Sequence, residues 1–222
     1  LELDAGLRPE GKNGPMVRSL DAYAQYYQRW ALGWEAQALL RAAPFAGAAD
    51  LAQDFLDMAI PFRYPSIFSP EQAREIRRIK ARVESERLPQ GADSSRHLKL
   101  GRGSLSDVEW AIQLLQLTHG HEYPDIRTPS TLDALRALTG HDLICADDAQ
   151  QLEEAWTLAS SVRTALALYG AKSSDVLPDD RAGLEGAARL MGYGPLSASA
   201  LEERYLRVTR RSRAVFERLF YG

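Results

Sequence analysis

The sequence predicts a mainly α-helical protein, a helical bundle preceded by a β-hairpin and a long helix that end an α/β domain. Three observations carry this. Apolar residues recur three and four positions apart through most of the chain beyond residue 20. The segments are punctuated by helix starts and stops such as Ser69-Pro70, Gly140, Gly170 and Gly192. One segment, Val108 to Leu117, is apolar nearly all round, which means burial on every side, as in the central staff of a bundle.

Taken in order, Leu1 to Leu20 reads as a β-hairpin. Leu1, Leu3 and Ala5 alternate with Glu2, Asp4 and Gly6, and the loop RPEGKNGP contains the turn pair Asn13-Gly14. Ser19 is a plausible N-cap for one long helix, Asp21 to about Ala43, whose Tyr23, Tyr27, Trp30 and Trp34 form an aromatic stripe. Glu35 lies among those aromatics, an unusual place for a charge, and a core stripe with Glu35 and Arg41 paired accounts for it most simply.

A modest helix follows, about Ala49 to Ile60. The stretch PFRYPSIFSP should then be irregular, since its three prolines forbid a continuing helix. Ser69 caps the next helix, Pro70 to Leu88, with Ile76, Ile79 and Val83 inward and dense mixed charge read as a solvated face. The fifteen-residue polar loop PQGADSSRHLKLGRG delivers Lys99 and Arg102 to the start of the central helix, and a loop of that length is usually functional or mobile.

At that start, Ser106 and Glu109 match a capping box, and Asp107 suits the positive end of the helix dipole. The sharper alternative has Asp107 and Glu109 facing a pocket with Lys99 and Arg102. Further helices are expected at Thr131–Leu138, Asp147–Tyr169, Asp179–Met191 and Ser197–Phe220. His119, His121, Glu122 and Asp125 tempt a metal reading, but they sit on an irregular connection without ligand spacing.

Composition narrows the function classes. A chain of 222 residues with 45% hydrophobic and 26% charged residues can bury a sizeable core. A formal net charge of -3 argues against a general nucleic-acid or membrane binder. The single cysteine, Cys145, permits no internal disulfide and fits a cytoplasmic protein. The chain opens without Met in a strand-like pattern, which suggests a piece of something longer.

Three stretches together resemble the glutamine synthetase adenylyltransferases, which adenylylate and de-adenylylate glutamine synthetase. They are LDAGLRPEGKNGPMVRSLDAYAQYYQRWALGWEAQALLRA, IKARVESERLP and HLKLGRGSLSDVEWAIQLLQL. The ending YLRVTRRSRAVFERLFYG resembles the C-terminus of the actinobacterial members. Ser104, where the family more often has Gly, and Gly6, where many relatives have Arg, are mild departures.

The resemblance implies that 1–43 ends a nucleotidyltransferase domain and that 44–222 is a helical bundle domain. It implies an enzyme using ATP and Mg2+, with glutamine synthetase as substrate and a PII signalling protein as regulatory partner. No Asp-x-Asp metal pair is present, so the piece alone is expected to be inactive. Asp4 would be the third metal-holding carboxylate, acting on the metal or on the nucleophile's proton. Arg8 and Lys12 would lie near the triphosphate, and Glu35 and Arg41 would support the site beside Trp34. Lys99, Arg102, Asp107 and Glu109 would form a polar patch turned toward the catalytic cleft or a regulatory partner. A helical module that only docks glutamine synthetase or PII, and a related PII uridylyltransferase, are the competing readings.

Overall fold

A computed structural model describes residues 5–88, 91, 93–170 and 174–222. Among them are nine α-helices and no strand. The helices are α1 (Leu20–Arg29), α2 (Gly33–Leu39), α3 (Ala49–Arg63), α4 (Pro70–Glu86), α5 (Leu105–His119), α6 (Thr131–Gly140), α7 (Ala146–Gly170), α8 (Arg181–Leu190) and α9 (Ala198–Phe216). The chain divides into two compact units, Leu1–Ile76 with Gln113–Ala134, and Arg77–Ile112 with Leu135–Gly222.

The expected hairpin is not seen. Over residues 5–19 the one regular element is a 3-10 turn, Gly11–Asn13, and most of the expected first strand, residues 1–4, lies outside the described residues. The reason lies in Arg8. Its guanidinium donates to the carbonyls of Ala5, Lys12 and Gly14 at 2.8, 3.1 and 3.0 Å. One side chain thereby gathers the backbone acceptors of Ala5 and of the expected turn into a compact loop. Glu10 at φ 62 and Gly11 at φ 55 turn the chain inside that clasp.

The single long helix expected from Asp21 to Ala43 is two. Trp30 closes α1 and is 72% exposed, so the aromatic stripe does not continue through it. Leu32 is extended, and Glu35 reaches back to accept its N–H at 2.9 Å, which starts α2. The charge that looked misplaced among aromatics is therefore a helix-start device. In the same unit Tyr23 meets Phe55 edge-on and Tyr27 stacks on Phe62, joining α1 to α3.

α3 runs three residues past the expected end and contains Pro61. Pro61 lies in the last turn and is exposed, so its missing N–H disturbs little. Buried Arg63 then donates to Leu40 O at 3.2 Å. Tyr64 is 1% exposed, with Arg63 and Arg127 guanidiniums 5.3 and 5.6 Å from its ring centre. A Cβ on Gly120 would stand 2.3 Å from the Tyr64 ring, so glycine is required there.

The second unit is built on α7, α8 and α9. α7 buries Leu152, Ala155, Ala159, Val162 and Leu166, and α9 buries Leu201, Tyr205, Val208, Val215 and Phe216. The small residues of α7 let neighbouring helices approach closely. After Phe216 the chain widens into a π turn, Glu217–Tyr221, so α9 stops short of the expected Phe220. Phe220 stacks on Phe216, and Trp110 of α5 meets Phe220 edge-on.

Candidate functional site

The loop before α5 and the helix start it feeds form the most organised polar region of the second unit. Its glycines are there for packing. Gly101 donates to His97 O at 2.9 Å, and a Cβ on it would stand 2.1 Å from that oxygen. Gly103 has φ 72, and a Cβ there would fall 1.8 Å from Thr209 O of α9. The loop backbone thus lies directly on the backbone of α9.

His97 anchors the loop's other end. Its Nδ1 accepts the N–H groups of Lys99 and Leu100, so Nε2 carries the proton in the neutral ring. Residues 96–98 pair with 175–177 through Leu98 N–H to Asp175 O and Leu177 N–H to Arg96 O. Burial depresses the His97 pKa below 6.5, which the nearby Asp175 carboxylate only partly offsets. Buried Ser104 donates to Leu98 O and lies 3.2 Å from the Tyr205 hydroxyl. Burial pushes that phenol up to about 12.

α5 begins at Leu105, so Ser106 and Glu109 do not form the expected capping box. Ser104 occupies the position before the helix, and Asp107 reaches back to take the Gly103 N–H at 2.6 Å. Asp107 is 0% exposed. Its two oxygens also receive Lys80 Nζ at 2.6 Å and Arg213 Nη1 at 2.9 Å. Glu84 bridges the same cations, 2.9 Å from Lys80 and 3.0 Å from Arg213. Burial works against the Glu84 charge, but hydrogen bonds from Lys80 and Arg213 outweigh it and hold its carboxyl below the usual range. The Phe216 ring lies 5.3 Å from Lys80 Nζ and 4.9 Å from the Arg213 guanidinium. Two acids and two bases from α4, α5 and α9 thus satisfy one another in the core of this unit.

The expected site residues are distributed as follows. Asp4 lies outside the described residues. In the first unit Arg8 is committed to three carbonyls, and Lys12 and Arg41 are exposed. Glu35 is buried and accepts Leu32 N–H and the Tyr26 hydroxyl, each at 2.9 Å. In the second unit Lys99 and Arg102 are exposed, Glu109 is half-buried and Asp107 is enclosed. The structure therefore does not gather Lys99, Arg102 and Asp107 into one patch. Among the described residues no group of three or more His, Cys, Asp or Glu is arranged to hold a metal, at His119 and His121 or elsewhere.

Sequence reasoning missed Lys80, Glu84 and Arg213. The charges of α4 were assigned to a solvated face, whereas Lys80 is 1% exposed. A signal existed: Lys80 follows Ile76 by one turn and lies beside Ile79 and Val83, on the inward face.

The chain matches two family models. Residues 75–220 match the family described as GlnD PII-uridylyltransferase, and residues 1–58 match Glutamate-ammonia ligase adenylyltransferase. Curated relatives named bifunctional glutamine synthetase adenylyltransferase/adenylyl-removing enzyme align along the whole chain. They include proteins of Leifsonia xyli subsp. xyli at 59% identity, Streptomyces avermitilis at 51% over 100% of the chain, and Mycobacterium avium at 51% over 99%. The chain spans 22% of the length of each of these three relatives. It belongs to the glutamine synthetase adenylyltransferases of the actinobacterial kind, and its residues 75–220 belong to the family described as GlnD PII-uridylyltransferase.

Proposed function

We propose that this chain serves an enzyme that transfers an adenylyl group from ATP to a tyrosine of glutamine synthetase and, in the whole protein, removes it, regulating nitrogen assimilation in the cytoplasm. The observation that carries the reading is 59% identity, along all 222 residues, to a relative bearing that name. In this reading 1–43 end the nucleotidyltransferase domain, 44–222 form the helical domain, and a PII protein is the regulatory partner.

The described residues do not fit Mg2+, because their carboxylates form no ligand set. Glu35 and Asp107 are already bonded to donors within the chain, and three of the five N–H donors of Arg8 are already given to carbonyls of its own loop. The cations that fit a nucleotide phosphate or an acidic partner are Lys12, Arg41, Lys99 and Arg102, all exposed. Asp4 is the residue proposed to hold the metal.

The test is Asp4→Asn in the full-length protein. Adenylylation of glutamine synthetase should be abolished with the circular dichroism spectrum unchanged, and normal activity would remove Asp4 from the site. The 222-residue chain alone should release no pyrophosphate from ATP. A second reading, uridylylation of PII, is favoured by the family match over 75–220. Supplying the full-length protein with ATP or UTP and with each acceptor separates the two.

A further inference from the structure

Beyond that reading, though sharing Arg102 with it, the second unit has a cleft between the loop and α9. It is lined by Ser95 and Arg102 of the loop, by Leu206, Arg210, Arg213 and Ala214 of α9 and by Glu217, and it is an open cleft of about 470 Å3. That volume falls in the range of small-molecule sites, roughly 300–1,000 Å3.

The charges in the cleft are unequal. Glu217 is neutralised by Arg213 Nε at 2.8 Å, and the Nη1 of Arg213 is committed to Asp107 and Glu84. Arg102 and Arg210 are exposed, and their guanidiniums have no carboxylate or carbonyl partner among the described residues. Elsewhere in this unit arginines find acids readily. Arg96 meets Asp179 and Glu202, Arg163 meets Asp175, and Arg218 meets Asp148.

The two free guanidiniums stand on a rigid frame. Arg102 N–H donates to Ser94 O at 3.1 Å, and Gly103 immediately after it is pressed against Thr209 O. Arg210 follows Thr209 on the facing helix. Two forked donors on a fixed backbone suit the oxygens of a phosphate, with little ordering required on binding. Leu206, Ala214 and the arginine stems offer an apolar wall to whatever carries the phosphate.

We propose that this cleft binds a small organic phosphomonoester, its phosphate between Arg102 and Arg210 and its apolar body along Leu206 and Ala214. An acidic protein segment is the other class that two free arginines could attract. The cleft's small volume and its apolar wall favour the small molecule.

The experiment is calorimetric titration of the protein with phenyl phosphate, phenol and inorganic phosphate. Phenyl phosphate should bind more tightly than either of the other two. Arg102→Ala and Arg210→Ala should each weaken it roughly tenfold or more, as loss of a charge-assisted bond to phosphate requires. Both residues are exposed, and an unchanged melting temperature excludes misfolding as the cause. Equal binding of phenol would overturn the proposal, as would equal binding of inorganic phosphate. Affinity of either variant within twofold of the parent would also overturn it. So would the absence of heat with phenyl phosphate at about 1 mM, including the case where only a polyglutamate peptide binds.

Discussion

Lys80 and Asp107 form a buried ion pair, Nζ to Oδ1 at 2.6 Å, with each side chain 1% exposed. The pair joins α4 to the first turn of α5. Arg213 brings in α9, and Glu84 balances the charge. Burying charges is unfavourable unless each is matched, and here both Lys80 and Arg213 meet Asp107 and Glu84.

Removing Asp107 leaves that balance one acid short. Lys80 would keep only Glu84, which it would share with Arg213, and the Gly103 N–H would lose its acceptor. Asp107→Ala should destabilise the fold by about 3–5 kcal/mol, the usual effect of stranding a buried charge. Ser106→Ala, in the same helical turn, should change stability by less than about 1 kcal/mol. Urea denaturation of both variants checks this. Similar losses would mean that Asp107 acts as no more than a helix cap.

Gly103→Ala should be at least as damaging as many core truncations. The left-handed backbone alone costs about 1–3 kcal/mol for a residue with a side chain. The added Cβ would also stand 1.8 Å from Thr209 O and 2.8 Å from Arg213 N. Those are backbone atoms of a helix and cannot rotate away. A fall in melting temperature larger than that of Gly140→Ala, where a Cβ meets nothing within 4 Å, is the expected result.

Glu35→Ala should loosen α2. It removes the acceptor of Leu32 N–H and of the Tyr26 hydroxyl. Loss of a helix-start acceptor costs about 0.5–2 kcal/mol. Burial first, and the Glu35 hydrogen bond second, raise the Tyr26 pKa. Spectrophotometric titration of the variant should therefore show this phenol ionising at lower pH than in the parent.

Much of the helical architecture is legible in the sequence because it rests on local signals. Ser69-Pro70 starts α4 and Gly170 ends α7 where expected, and Ser19 accepts the Ala22 N–H as an N-cap should. The failures are places where a side chain acts on distant backbone. Nothing local says that Arg8 will bind the carbonyls of Ala5, Lys12 and Gly14, so the Asn13-Gly14 signal reads as a hairpin. Trp30 and Trp34 keep helical spacing across the α1–α2 break, which hides it. At the candidate site, the family motif marks the correct stretch but not its partners. Lys80 and Arg213 lie 27 and 106 residues from Asp107. Only tertiary structure shows that Asp107 is enclosed by them.

His97 makes the fold pH-sensitive, with a sign fixed by its burial. Burial depresses its pKa below the ordinary 6.5, and Arg163 and Lys99 push the same way against Asp175. The unfolded chain therefore binds more protons than the folded one just below pH 6.5. Stability is fully present above that pH and is lost as the pH falls through the window toward the depressed value. Protonating Nδ1 would also turn an acceptor of two N–H groups into a competing donor. His119 is shifted in the same direction by burial, so it contributes with the same sign. The urea midpoint should fall between pH 7.5 and pH 5.5. His97→Asn, whose amide oxygen can still accept those N–H groups, should remove part of that fall, and adding His119→Gln should remove more. A midpoint that rises on acidification in the parent protein would show that the Asp175 carboxylate, rather than burial, governs His97.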